Sequence, residues 1–157
     1  MPDNKKIAGV FLDEQSVISR SAQIEHERKV AIYDLLEENS FIPEDGTEGP
    51  FNLHLGIEDN RLVFDVRSVD NEPLNRFSLP LSPFRSIVKD YFMVCDSYFK
   101  AIKSSSPSQI EAIDMGRRGL HNEGADILRE RLAEKVAIDN DTARRLFTLI
   151  CVLHIRV

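Results

Sequence analysis

The chain has 157 residues, of which 42% are hydrophobic and 29% charged, with seven glycines, seven prolines and two cysteines. Those values exclude collagen-like, low-complexity and wholly disordered classes, and a chain of this length buries roughly two-thirds of its unfolded surface without a metal or disulfide staple. The formal net charge of −6 is uneven: residues 1–79 carry 8 Lys+Arg against 16 Asp+Glu, and residues 80–157 carry 12 against 10. An acidic half therefore precedes an arginine-bearing one, and the second half can face solvent, an anionic ligand or the acidic half of another copy.

The longest apolar run, Leu149-Ile150-Cys151-Val152-Leu153, is far shorter than the ~20 residues of a membrane-spanning helix. Met1-Pro2-Asp3-Asn4-Lys5-Lys6 leads into no apolar signal region, so the expected compartment is the cytoplasm. Cys95 and Cys151 lie in apolar stretches without a C-x-x-C partner and read as small core hydrophobes.

Ile7 to Leu12 reads as a short strand. Ser19 or Ser21 can then cap a helix from about Ala22 to Glu38, with Ile24, Ala31 and Leu35 on one face. Ile42 to Pro50 holds Pro43, Asp45-Gly46, Gly49 and Pro50 and reads as an exposed acidic loop. From Phe51 the period becomes two: Phe51, Leu53, Leu55 and Ile57, then Leu62, Phe64 and Val66, predict two strands joined at Asp59-Asn60. A third strand, Leu74 to Leu79, completes an antiparallel meander.

Ser82-Pro83 opens a long helix whose seam is Phe84, Val88, Tyr91, Cys95, Tyr98 and Ile102. The serine run 104–106 ends it, and Ser106 with Gln109 has capping-box spacing for the next. A last helix starts at Asp139 or Asn140 and runs through Leu153, apolar nearly all round, although the stretch Leu149 to Val157 also suits a strand.

The segment 110–128 carries the most chemistry. At 100° per residue, Asp114, Arg117 and His121 share the side occupied by Ile110, Ile113, Leu120, Ile127, Leu128 and Leu132. A polar triplet on an apolar face needs partners, because an unpaired buried charge is too costly. Gly116, Gly119 and Gly124 each cost roughly 1 kcal/mol relative to alanine in a helix. Either they admit another backbone or a ligand, or the helix breaks near Gly119 and His121-Asn122-Glu123 caps a new one, giving an anion site.

Two readings of the triplet stay open: a satisfied structural network, or a site. In the second, His121 is the candidate general acid/base, Asp114 or Glu123 its orienting carboxylate, and Arg117, Arg118 and Asn122 the ligand-binding candidates. No nucleophile stands out. Glu25-His26-Glu27, His54 and His121 or Glu123 offer no local chelating pair, so no metal is expected, and no cofactor motif is present. The basic pairs Arg117-Arg118 and Arg144-Arg145 have carboxylates at helical spacing, which disfavours nucleic-acid binding.

Several blocks also resemble an uncharacterised protein family of small alphaproteobacterial proteins. They are residues 25–28, 35–41, 82–85, 87–93, 111–124 (Glu111 through Gly124) and 141–149 (Asp141 through Leu149). The resemblance spans almost the whole chain, departing in the loops and at the extreme ends. It implies a bacterial cytoplasmic protein and carries over no activity and no catalytic residue.

The sequence thus predicts one α+β domain over residues 1–157, a small antiparallel sheet of three to four strands packed against four to five helices, with Tyr91, Cys95, Phe147 and Ile150 in its core. Its expected role is a non-enzymatic interaction or regulatory protein that self-associates as a homo-oligomer or binds a protein partner. The alternative is a small enzyme or anionic-ligand-binding protein built on Arg117 and His121.

Overall fold

A computed structural model describes residues 2–13 and 22–153. Strand β1 (Ile7–Leu12) is followed by helix α1 (Ala22–Glu37), strand β2 (Phe41–Pro43) and the meander β3 (Phe51–Glu58), β4 (Arg61–Ser68) and β5 (Pro73–Pro80). Then come the long helices α2 (Ser82–Ser104) and α3 (Pro107–Leu132), strand β6 (Val136–Ile138) and helix α4 (Asn140–Leu153). The proposed serine caps Ser19 and Ser21 lie outside the described residues, as does the tail 154–157.

The α+β class and the meander are as the sequence predicts. Asp59 and Asn60 both take positive φ, 51° and 60°, which matches the right-handed twist of the strands they join. The sheet is nevertheless mixed rather than purely antiparallel, because β1 pairs parallel with β3, giving the order β1-β3-β4-β5. The start of β1 is also held by a side chain. Asn39 Oδ1 accepts from the Ile7 N–H at 2.7 Å, and its amide donates to Ile7 O at 2.9 Å and Leu35 O at 2.8 Å. A second, two-stranded antiparallel sheet of β2 and β6 takes Ile42 and Pro43 out of what reads from the sequence as the loop Ile42 to Pro50, and pairs them with a strand, Val136–Ile138, that the sequence reading does not assign.

Alternation along β3 and β4 sends Phe51, Leu53, Leu55, Leu62, Phe64 and Val66 into the core. His54, Asp65 and Arg76 form a polar row in register across the other face. Helix α4 packs on α1, α3 and β3 and is buried along almost its whole length. Asp139 caps it by accepting from the Thr142 N–H at 2.8 Å.

The predicted capping box of α3 is present, with both reciprocal bonds between Ser106 and Gln109 formed. This helix runs unbroken through Gly119, so the break considered near that residue does not occur. Of the three glycines only Gly124 answers to a close approach: a Cβ there would stand 2.2 Å from the Phe147 ring, while Gly116 and Gly119 face open space. Tyr91, Phe147 and Ile150 are buried as expected, whereas Cys95 is only half-buried and packs against the edge of the core. None of the described helices is long and apolar enough to cross a membrane.

Candidate functional site

The four helices leave between them an open cleft of about 330 Å³. Helix α1 contributes Glu27, Val30, Ala31 and Asp34, one face at successive turns, and α2 contributes Tyr91. The opposite wall is Arg117, Arg118 and His121 from α3 and Asp141, Arg144, Arg145 and Thr148 from α4. The i,i+4 spacings Arg117–His121 and Arg144–Thr148 place each pair on adjacent turns of one helix face.

His121 is a half-buried polar group of this wall. Its Nε2 lies 2.7 Å from Thr148 Oγ1, and the Thr148 hydroxyl donates to Arg144 O at 3.2 Å. A hydroxyl has one proton, and the carbonyl can only accept, so the His121 Nε2–H is the donor and Nδ1 carries the free lone pair. The ring packs 5.5 Å from Tyr91 and 5.6 Å from Phe147 between centroids. Burial disfavours the imidazolium, and the nearby charges of Arg144 and Arg117 oppose it further, so the pKa falls from 6.5 to about 4. At neutral pH the side chain is an uncharged donor–acceptor.

Arg117 is held in place by Asp114, with Nη2 and Nε at 2.7 and 3.1 Å from Oδ1, and its guanidinium lies 5.1 Å above the Tyr98 ring. Arg118 Nε reaches the other oxygen of the same carboxylate at 3.1 Å. The Arg117 hydrogen bond, with the charges of both arginines, keeps the Asp114 carboxyl below its ordinary pKa. Burial alone would weaken the Arg117 charge, but Asp114 and Tyr91 outweigh it and its pKa is raised. Burial also pushes the Tyr91 hydroxyl and the Cys95 and Cys151 thiols up, so all three stay protonated at neutral pH.

The sequence-predicted candidates separate. Arg117, Arg118 and His121 line the cleft; Asp114 stands behind it as the clamp on both arginines, not as a partner of His121. Asn122 and Glu123 are exposed and do not line it, because an unbroken helix turns them about 100° and 200° away from His121. The partner that orients His121 is Thr148, on another helix.

Pairing of Arg144 and Arg145 by neighbouring carboxylates, expected from spacing, is also absent: among the described residues neither has a carboxylate within 4.0 Å, and the guanidinium of Arg144 has no hydrogen bond. The polar positions 141, 144, 145 and 148, interrupting an otherwise apolar helix, are the signal that could have found this wall. His54 lies on the outer sheet face, far in the topology from His121, and no group of three metal-ligating side chains forms among the described residues.

A model of the uncharacterised protein family UPF0262 matches residues 4–156. The chain is 63% identical over 156 residues to UPF0262 protein amb3341 of Paramagnetospirillum magneticum, covering 99% of each. It is 61% identical over 155 residues to a UPF0262 protein of Rhodopseudomonas palustris strain BisA53, covering 98% of this chain and 95% of the relative. It is 58% identical over 156 residues to UPF0262 protein Rru_A2770 of Rhodospirillum rubrum, covering 99% and 96%. No solved structure matches significantly. These relatives are alphaproteobacterial and carry no assigned activity. The chain belongs to the uncharacterised protein family UPF0262.

Proposed function

We propose that the protein is a cytoplasmic, non-enzymatic binding protein whose ligand is a small anion seated in the four-helix cleft. The observation that carries this reading is Arg144, a half-buried guanidinium that lines the cleft with no carboxylate within 4.0 Å among the described residues. A half-buried charge without a partner forgoes stabilisation that an incoming anion restores. Arg145 and Arg117 give the same anion further donors, and a small-molecule site of roughly 300–1,000 Å³ is ordinary. With a pKa of about 4, His121 suits a hydrogen-bonding role better than proton transfer near neutrality.

The test is thermal unfolding of the full chain with inorganic phosphate or citrate against potassium chloride at matched ionic strength. A saturable rise in Tm with phosphate or citrate, lost in Arg144→Gln while that variant still unfolds cooperatively, is the expected result. The same response in wild type and variant, or none beyond the chloride control, overturns the reading.

Self-association is the second reading. Met93, Ile102 and Met115 are 61%, 52% and 62% exposed on the outer part of the α2–α3 hairpin, an apolar set that a second copy would cover. A monomer at all accessible concentrations by sedimentation would remove it.

A further inference from the structure

We infer that the cleft's ligand is a small zwitterion, an anionic group carrying a protonated amine, with the anion on the arginine wall and the amine on α1. This rests on the anion-binding reading above and specifies its substrate class.

The two walls differ in sign and do not neutralise each other. Helix α1 turns Glu27 and Asp34 into the cleft, and among the described residues neither carboxylate has a lysine, arginine or histidine nitrogen within 4.0 Å. The facing helix α4 presents Arg144, equally without an ionic partner among the described residues. The helices pack together, yet their charged groups remain separated by the cleft. Asp141, one turn before Arg144, is the carboxylate on the arginine side and stands at no ion-pair distance from it.

A bare anion in this space gains from the arginines and is opposed by the two α1 carboxylates. A ligand with its own ammonium group satisfies both walls at once, and each opposite-charge contact is a charge-assisted hydrogen bond. The volume of about 330 Å³ lies at the small end of ligand sites, which limits the ligand to the size of an amino acid or a phosphorylated small amine.

The experiment measures affinity by calorimetry on the full chain for two matched pairs of probes: phosphate against phosphoethanolamine, and glutarate against glutamate. Within each pair the aminated probe adds an ammonium group. In at least one pair the aminated probe is expected to bind about tenfold tighter. The double variant Glu27→Gln/Asp34→Asn, checked for cooperative unfolding, should weaken the aminated probe and tighten the bare anion, two shifts of opposite sign. No gain from the amine in either pair overturns the inference, as does a double variant that shifts both members of a pair in the same direction. Those outcomes leave anion binding itself standing, whereas failure of all four probes on the wild-type chain removes the anion site and this inference with it.

Discussion

Adding one methyl group to α3 should have opposite effects at two of its glycines. Gly119→Ala gains the helix propensity that glycine lacks, about 1 kcal/mol, and its Cβ enters open space. Gly124→Ala gains the same term, but its Cβ would stand 2.2, 2.3 and 2.6 Å from three atoms of the Phe147 ring, where ordinary contact begins at 3.4 Å. Phe147 is fully buried on the core helix α4, so the ring must move by more than an ångström inside close-packed surroundings.

Overpacking costs about 1–3 kcal/mol, and an overlap this deep belongs to the upper part of that range, about 2–3 kcal/mol, leaving Gly124→Ala a net loss of about 1–2 kcal/mol. With a urea m-value of about 2 kcal/mol/M, the midpoint should rise by about 0.5 M for Gly119→Ala and fall by about 0.5–1 M for Gly124→Ala. Phe147→Leu in the Gly124→Ala background should recover part of the loss, giving a coupling energy of the sign expected for relieved overlap. A Gly124→Ala protein at least as stable as wild type would refute the claim that this glycine exists to seat the ring. So would a Gly119→Ala protein destabilised to the same extent.

Two further outcomes follow from groups the structure buries. His121 titrates at about 4 in the folded state against about 6.5 unfolded, so between those values the unfolded chain binds the extra proton, stability rises with pH, and it is lost as pH falls from 6.5 towards 4. The stability difference between wild type and His121→Gln should therefore shift by about 2 kcal/mol against wild type from pH 7.5 to pH 5 in urea titrations, and parallel pH profiles would contradict it. Asn39→Ala should cost about 3 kcal/mol, because it leaves the buried N–H and C=O of Ile7 and the carbonyl of Leu35 without their partner, and amide exchange at Ile7 should accelerate with it. A loss under 1 kcal/mol would show that water or the backbone replaces those bonds.

Local chemistry made much of this architecture legible. The Asp59-Asn60 turn, the period-two strands, the Ser106–Gln109 capping box and the start of α4 at Asn140 depend on residues within a few positions of one another, and each stands where the sequence predicts it. The parallel pairing of β1 and the short β2–β6 ladder could not be read in this way. Both join residues far apart in the chain, and β2 and β6 are three residues each, too short to show a period.

The candidate site divides along the same line. Spacing on one helix suffices to put Arg117 and His121 on a common face and to pair Arg117 with Asp114. It also fixes, for an unbroken helix, that Asn122 and Glu123 turn away, but whether the helix breaks at Gly119 depends on what packs around it. In the fold α3 runs unbroken through Gly119, and of its three glycines only Gly124 meets a close neighbour, the Phe147 ring.

By itself, then, the sequence determined the α+β class, the starts of the long helices, the meander and the polar face of α3, because propensity, capping and periodicity act within a few turns. Only the tertiary structure decided that Thr148 rather than a carboxylate orients His121, that Arg144 has no carboxylate beside it among the described residues, and that the acidic face of α1 looks across a cleft at the arginines of α3 and α4. Those are contacts and separations between helices distant in the chain, and they arise from how α4 is enclosed by its neighbours rather than from any spacing along one segment.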